Sequence, residues 1–539
     1  MTPLRIEASM TTTRQEPTSR RARAAMLVMI TAGFLLRLRL AWLTFLNPDE
    51  ALHYFLAHQP SLKLAYEASL TTAHPPLMIV FLHFWSRLGS SEFFLRLPFV
   101  VAGTLFCWIM FLWVEQVASR EAAWYAFALC LFAPSLVALS AEIRQYAFLF
   151  LFCSCALYFL ECSITRGSVK LMALSAIVLY LALLTHYSAL IFVAALGVYG
   201  LACLATRKPA WRLTTTWIAM QVGALAIYAF LYHTQISKLR ASGVPSEIAG
   251  TWLRNSIFHS GEDHIFLFAW SRTPRLFRYF FSHGTIGLAG IVLFVFALIV
   301  LLWPRERKSR KVFAAALLIF PFLLTLSLAF AGIYPYGGTR HDSILAIFAF
   351  PGIAIGLDRL RVSSVQRAKF LKCLLLAIGL VVCNFFPSPA GPYIRPKNQA
   401  RSLMQQATNS IRTLPPNSII FTDDQGSMVL NYYLCGEQMP LPFASRRQLF
   451  LTLRCGDKNL LVATGTQTGF DRAQFPALLA SAWNAAPEAS VLYLFQAGWI
   501  DDKEQDWLTE LRGLGGAPKN YGANILVCPL QKTTRSQPN

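Results

Sequence analysis

Asn47-Pro48-Asp49-Glu50 closes the first long apolar stretch of the chain and is followed by His53 and Tyr54. A carboxylate at a water–membrane boundary can take a proton from a hydroxyl acceptor, or ligate a divalent cation such as Mg or Mn. An isolated Asp-Glu pair is more often a solvated helix end. This pair is not isolated: the same segment ends in His74-Pro75-Pro76-Leu77 and then Glu92-Phe93-Phe94-Leu95-Arg96-Leu97-Pro98. Further along come Ala141-Glu142-Ile143-Arg144-Gln145-Tyr146, Thr185-His186-Tyr187 and Thr339-Arg340-His341. Arg144 and Arg340 suit a phosphate, because a guanidinium donates two parallel hydrogen bonds and stays charged near lipid. Their bland alternative is interfacial anchoring. Arg37 lies inside the first apolar stretch, where a charge is costly unless it faces a polar cavity. Arg39, two residues on, cannot share its face, so at least one of the two snorkels.

The elements that carry these residues are membrane helices. Of 539 residues 55% are hydrophobic and 14% charged, far from a soluble globular composition. Stretches near or above the roughly 18 to 20 residues that cross a bilayer recur along the chain. Eleven spans are expected at 24–42, 97–114, 122–141, 145–164, 171–185, 188–206, 214–232, 285–303, 312–333, 343–357 and 370–386. Pro134 marks a kink within the third. With the N-terminus inside, the basic segments 166–170, 207–212, 305–311 and 359–372 all fall on the cytoplasmic side. The motif segments then fall outside. The apolar stretch 74–88 is short and opens on Pro75-Pro76; counting it as a span would undo the charge asymmetry, so it is expected to lie along the membrane surface.

The formal charge of +21 is spread in short clusters between apolar stretches, a topology signal that does not point to nucleic acid. Arg20, Arg21 and Arg23 precede a long span without a small-residue cleavage pattern, so residues 1–23 read as a cytoplasmic arm that is retained. Residues 24–386 form the membrane domain, with a large first external loop at 46–96. Pro387, Pro389, Pro392 and Pro396 mark a linker, and 387–539 reads as a small extracytoplasmic α/β domain with strands near 418–422, 459–463, 490–495 and 524–527. It has no GxGxxG or Walker pattern. Cys435 and Cys455 could bridge there, leaving a third domain cysteine unpaired.

Taken in order, these motifs resemble the GT-C superfamily of integral-membrane glycosyltransferases, in the branch of protein O-mannosyltransferases, lipid A aminoarabinose transferases and Rgt-type lipopolysaccharide sugar transferases. The acidic pair, His74-Pro75-Pro76-Leu77, the Glu92–Pro98 segment and Glu142–Tyr146 carry the resemblance over about the first 360 residues. His341 departs from it, standing where relatives commonly carry Tyr. The resemblance implies a polyprenyl-phosphate sugar donor held in the bilayer, an envelope lipid, glycan or protein acceptor arriving from the aqueous side, and transfer with inversion in a bacterial-type plasma membrane. Asp49 is then expected to activate the acceptor hydroxyl with Glu50 assisting. Arg144, Arg340, Arg37 and His74 are expected to bind the donor phosphate, and Tyr54, Glu142, Tyr146, His186, Tyr187 and His341 to line the substrate pocket. No cofactor is required beyond a metal that the residues leave open. A transporter or lipid flippase is the alternative, weakened by the absence of repeated halves; a noncatalytic scaffold would need no clustered carboxylates and arginines.

Overall fold

The computed structural model describes residues 20–207, 210–241, 250, 253–303, 309–360, 365–386, 400–436, 448–466, 469–498, 504–522 and 525–532. Residues 1–19 of the basic arm and the four linker prolines lie outside them. The chain is a helical membrane protein capped by a small mixed-sheet domain.

Helix α1 (Arg20–Leu43) is the first span. Asn47 then caps α2 (Pro48–Ala57) reciprocally: its side chain accepts from Glu50 N at 3.0 Å while Glu50 Oε2 accepts from Asn47 N at 3.1 Å. With Pro48 at the first helical position, four residues specify a helix start at the membrane edge. After α3 (Leu62–Ser69), the helix α4 (Leu77–Trp85) has nine residues, too few to cross a bilayer, as the surface reading of that stretch requires. Next come α5 (Glu92–Val117), α6 (Arg120–Phe132) and α7 (Pro134–Ser140). The last two form one apolar run bent by 57° at Ala133, where Pro134 cannot donate to the helix ladder.

The remaining membrane-domain helices are α8 (Tyr146–Arg166), α9 (Val169–Leu183), α10 (Ala189–Arg207), α11 (Trp211–Leu231), α12 (Ser237–Ala241), α13 (Ile265–Phe281), α14 (Gly284–Leu302), α15 (Ser309–Phe330), α16 (Ala346–Arg359) and α17 (Val365–Phe385). Among the described residues eight helices are long and apolar enough to cross a membrane, and nine if the bent pair counts as one. Helices α9 and α17 occupy the positions of the other two expected spans. Leu288, Val292 and Leu302 along α14 are more than half exposed, the pattern of a lipid-facing helix. The stretch between the expected spans 214–232 and 285–303 contains α13. One end exposes Phe266 and Trp270 while Leu276, Phe277 and Phe280 are buried, as for a helix lying at the interface.

The C-terminal domain runs α18 (Arg401–Arg412), β1 (Ile419–Thr422), α19 (Asp424–Leu430), β2 (Phe450–Cys455), β3 (Lys458–Ala463), α20 (Phe475–Ala485), β4 (Val491–Ala497), α21 (Glu504–Gly513), β5 (Lys519–Gly522) and β6 (Ile525–Gln531). The sheet order is β2-β3-β1-β4-β6-β5; β1 pairs in parallel with β3 and β4, and the other neighbours are antiparallel. The four expected strands are β1, β3, β4 and β6; the edge strands β2 and β5 were not anticipated. Cys435 and Cys455 are bridged, and Cys528 is free and buried.

The domain is joined to the membrane part by more than a linker. Phe45, 1% exposed, enters one face of the sheet's core beside Met404, Ile420, Val429 and Phe495. In return Met428 packs among Tyr54, Leu56 and Leu95. Thr44 pairs with Ala400 in an antiparallel bridge, and Leu46 N donates to Tyr433 Oη at 2.7 Å. Burying one such Phe stabilises the docked arrangement by about 1.5–3 kcal/mol.

Candidate active site

The site is built where α1 hands over to α2. Arg96, on the first turns of α5, is 1% exposed and is fully engaged by that corner. Its Nε and Nη2 donate to Glu50 Oε1 and Oε2 at 2.7 and 2.5 Å, while Nη1 and Nη2 donate to the carbonyls of Ala41, Thr44 and Phe45, each at 2.8 Å. The guanidinium thus satisfies carbonyls at the end of α1, which no intrahelical donor reaches, and neutralises Glu50 with a bidentate pair. Glu50 Oε1 also accepts from Ile143 N at 2.8 Å, tying in the segment between α7 and α8. Glu50 therefore does not face solvent or substrate. Expected from the sequence to assist Asp49, it has both oxygens engaged by Arg96, Asn47 N and Ile143 N and ties three chain segments together.

Asp49, one residue earlier, points the other way. Its Oδ2 accepts from Arg340 Nη1 at 2.7 Å and lies 2.9 Å from Arg144 Nη1. Its side chain keeps 24% exposure, against 3% and 12% for the arginines. Burial alone would push the Asp49 carboxyl up, but the charges of Arg144 and Arg340 override it and hold the group below the usual carboxylate range. Arg144 comes from the 141–145 segment and stands 5.8 Å from the Tyr146 ring centroid.

Arg340 comes from a different loop, and Asp342 shapes that loop. Asp342 Oδ2 accepts from Gly337 N, Gly338 N and Thr339 N at 3.0, 3.1 and 3.3 Å, making with Thr339 a capping box around Arg340. Gly338 has φ +89, and a Cβ there would stand 2.4 Å from the Arg275 carbonyl oxygen, so only glycine fits.

Around the carboxylate stand uncharged imidazoles. His53 Nδ1 lies 3.2 Å from the Ile143 carbonyl and its Nε2 3.1 Å from Gln145 Nε2. The carbonyl can only accept, which assigns the ring proton to Nδ1 and lets Nε2 accept from Gln145. Burial and then Arg144 pull His53 down to about 3, so it stays neutral. The His74 ring sits tilted between those of His53 and His186, with centroids at 5.9 and 5.2 Å. Its pKa is well below the ordinary value through burial and then His186, so His74 offers hydrogen bonds and no positive charge to a phosphate. His186 is held at about 3 by burial, Arg144 and Arg340. Its Nδ1 accepts from Ser188 N at 3.0 Å, which leaves the ring proton on Nε2.

Glu142 is buried in the same place. Burial and the nearby Glu50 raise it to about 8, so at neutral pH it is mostly protonated. His186 Nε2, His74 Nδ1, Glu142 Oε1 and Gln145 Oε1 have no hydrogen-bond partner among the described residues. Each such buried group costs about 1–3 kcal/mol until something fills it. The chamber therefore offers a cationic wall to an anion and a rim of unfilled neutral groups to a hydroxyl-rich molecule.

Of the residues expected from the sequence, Asp49, Arg144, Arg340, Glu142, Tyr146, His74, His186 and His341 come together here. His341 interacts electrostatically with Arg340, His186 and Asp49. Three others do not. Arg37 is fully buried and donates to the carbonyls of Gly33, Cys130 and Leu131 at 3.0, 3.0 and 2.8 Å, so it pins α1 to α6. Tyr187 Oη donates to Gln235 Oε1 at 2.6 Å, and Gln235 Nε2 donates to the carbonyls of Ser69, Thr72 and His74, so Tyr187 steadies the loop before α4. Tyr54 faces the C-terminal domain, its ring 5.1 Å from Tyr432. Sequence reasoning missed Arg96 and Asp342 as positioning residues and Tyr279 of α13, which is near enough to Tyr146, Glu142 and Arg340 to interact with them. The Thr339-Arg340-His341-Asp342 capping box was the available signal for Asp342; Tyr279 had none. Among the described residues no group of three or more His, Cys, Asp or Glu is placed to hold a metal ion.

Residues 73–233 match the family model described as dolichyl-phosphate-mannose-protein mannosyltransferase. No curated protein matches the chain. The structure superposes on ArnT from Cupriavidus metallidurans in the apo state with a TM-score of 0.53 at 13% identity, covering 94% of this chain and 98% of that one. The same protein bound to undecaprenyl phosphate gives 0.52 with the same identity and coverage. The archaeal oligosaccharyltransferase AglB from Archaeoglobus fulgidus, in complex with an inhibitory peptide and a dolichol-phosphate, gives 0.48 at 11% identity over 88% of this chain and 70% of that one. The likeness to ArnT extends over both domains, and the chain has the ArnT-like GT-C fold.

Proposed function

We propose that the protein is an inverting glycosyltransferase that moves a sugar from a polyprenyl-phosphate carrier to a hydroxyl of a cell-envelope lipid, glycan or protein on the extracytoplasmic face of a bacterial-type plasma membrane. The observation that carries this reading is the Asp49 carboxylate shared by Arg144 and Arg340 at the helix ends. The match to the mannosyltransferase model and the ArnT-like fold support it.

The chemistry follows from that geometry. A donor phosphodiester approaching the two guanidiniums finds planar, permanently charged forks. The acceptor oxygen attacks the anomeric carbon from the face opposite the phosphate; the carbon–oxygen bond to phosphate breaks, and the electron pair leaves with the polyprenyl phosphate. Arg144 and Arg340 stabilise the second charge that develops on it. The acceptor proton goes to Asp49. Beside two unshared arginines Asp49 is a weak base. A bound phosphate divides their charge and raises its proton affinity when the acceptor is in place. The His74, His186 and Glu142 side supplies hydrogen bonds to the sugar. Arginines supply the positive charge here, and a divalent cation adds to it only if chelation slows transfer.

The test is transfer from a radiolabelled panel of polyprenyl-phosphate sugars by purified protein and by Asp49→Asn, with envelope acceptors. Transfer by the parent that collapses in the variant, with donor binding retained, supports the reading; full activity of Asp49→Asn sinks the role given to Asp49.

A further inference from the structure

Helix α11 shows much of its surface to lipid: Ile218, Val222, Leu225 and Phe230 are exposed. At its end, over Tyr232–Ile236, the hydrogen bonding widens into a π-helical turn, closed by Ser237 N donating to the Tyr232 carbonyl. A wide turn of this kind re-aims the side chains it carries, and such turns recur at functional sites. Here Gln235 is turned inward, to 0% exposure.

Both ends of the Gln235 amide are used. Nε2 donates to the carbonyls of Ser69, Thr72 and His74 at 3.0, 2.7 and 2.8 Å, and Oε1 accepts from Tyr187 Oη at 2.6 Å. Two N–H bonds shared among three carbonyls gather the irregular stretch before α4 around one side chain. Pro75 and Pro76 have no N–H with which to hold that stretch themselves. Just beyond them Leu77 N donates to the Leu184 carbonyl at 3.0 Å, which fixes where α4 begins.

His74 is what this stretch presents. Its ring is the middle one of three imidazoles, and the outer two are fixed through their own nitrogens, His53 by Ile143 and Gln145, His186 by Ser188. His74 Nδ1 has no partner among the described residues, so the bearing of the ring comes from the backbone that Gln235 holds. Arg144 lies within electrostatic reach of it. Arg144 and Arg340 already supply the charge an anion needs, whereas a ring nitrogen suits a hydroxyl, which both donates and accepts.

We propose that Gln235 is a positioning residue for recognition of the donor's sugar: it sets His74 so that the free ring nitrogen meets a sugar hydroxyl, while the phosphate is left to the arginines. The inference rests on the transferase reading for the identity of the ligand, and not for the hold of Gln235 on the loop.

Gln235→Met keeps the size of the side chain and removes the amide. Without any donor, hydrogen exchange of a peptide covering 66–80 in the full chain in detergent should quicken in this variant while that of α5 does not. With the labelled polyprenyl-phosphate sugar that the parent consumes, kcat/KM should fall about 3- to 10-fold in Gln235→Met and by a similar factor in His74→Ala, as for one neutral hydrogen bond. The double variant should be no worse than His74→Ala, because both changes remove the same contact. Affinity for undecaprenyl phosphate, which has no sugar, should stay at the parent's level in all three. Thermal midpoints report folding; should Gln235→Met not fold, Tyr187→Phe frees only Oε1 and should show the same pattern at smaller size. Losses that add in the double variant, an equal loss of affinity for undecaprenyl phosphate, unaltered exchange in Gln235→Met, or full activity of His74→Ala overturns the proposal. A parent that consumes no sugar donor, with a variant that loosens at 66–80, removes the transferase reading and leaves the hold on the loop; transfer by a variant whose loop exchange is unaltered does the reverse.

Discussion

Asp49 and Glu50 are adjacent carboxylates on one helical turn, both paired with arginine, and their surroundings are opposite. Glu50 has no exposed side-chain area, holds Arg96 in both oxygens and spends what is left on backbone N–H groups. Asp49 is a quarter exposed and shares one oxygen between two arginines from separate segments. A pair closed on itself can only hold structure, since any ligand would have to displace buried hydrogen bonds. A carboxylate shared by two cations and still open to water can exchange partners. The first shapes the corner that aims the second.

The hardest way to break this contrast is to remove one half of the closed pair. Arg96→Ala leaves Glu50 buried and uncompensated, and the expected loss is about 3–5 kcal/mol, read as a large drop in thermal midpoint and detergent-extracted yield. Asp49→Asn should lower the midpoint less, because the amide keeps an oxygen for Arg144 and Arg340 and the position is a quarter exposed. An Arg96→Ala protein of normal stability would show that the clamp is not what holds the corner.

Asp49→Asn sharpens the other side: the transfer rate should fall by about 10²–10⁴-fold if the carboxylate takes the acceptor proton. Single-turnover measurement with preloaded donor separates that from weakened binding. Next in size, Arg340→Ala should slow transfer by about 10²–10³-fold through the leaving phosphate, and Arg340→Lys should recover only part, because a point charge lacks the planar fork. Complete recovery by lysine would reduce the role of Arg340 to charge alone.

The last contrast is a pH dependence. The folded pKa of Glu142 is raised to about 8, above an unfolded value of about 4.3, so its contribution to stability is complete below the unfolded value. That contribution declines as pH rises between the two and is gone above the folded one. The difference in thermal midpoint between the parent and Glu142→Gln should therefore fall as pH rises from about 4 to about 8, on a background that rises up to about pH 6.5 because His53, His74 and His186 are buried neutral. Asp49 has the opposite sign: its lowered folded pKa favours the fold above the unfolded value of about 3.9 and loses that benefit only in stronger acid. A parent-minus-variant difference that fails to fall through that interval would contradict the burial of Glu142.

Much of this was legible from the chain. Apolar length and basic loops gave the span positions, because a bilayer imposes one dimension and one charge rule. Parallel and central strands announced themselves by apolar runs, whereas β2 and β5 at the sheet edges carry mixed residues such as Arg454 and Lys519 that only pairing explains. The cluster of Asp49, Arg144 and Arg340 was readable from residue type at helix mouths. The division of labour between Asp49 and Glu50 was not, since it depends on which side of one turn faces Arg96. Arg37 misled for a related reason: a charge within a span signals a polar environment, and here backbone carbonyls of α6 supply it. Tyr187 was placed by sequence proximity to His186, while its hydroxyl turns to Gln235, 48 residues away.

Phe45 also bears on how the molecule is made. It leaves a ribosome long before Phe495, Ile525 and Val527, which complete the pocket that receives it. The corner holding Arg96, Glu50 and Asp49 is therefore among the last places to mature, because contacts so distant in sequence close late and slowly. A nascent or truncated chain that has inserted all its helices would still lack the seated Phe45 beside Asp49, so maturation of that corner waits on the capping domain.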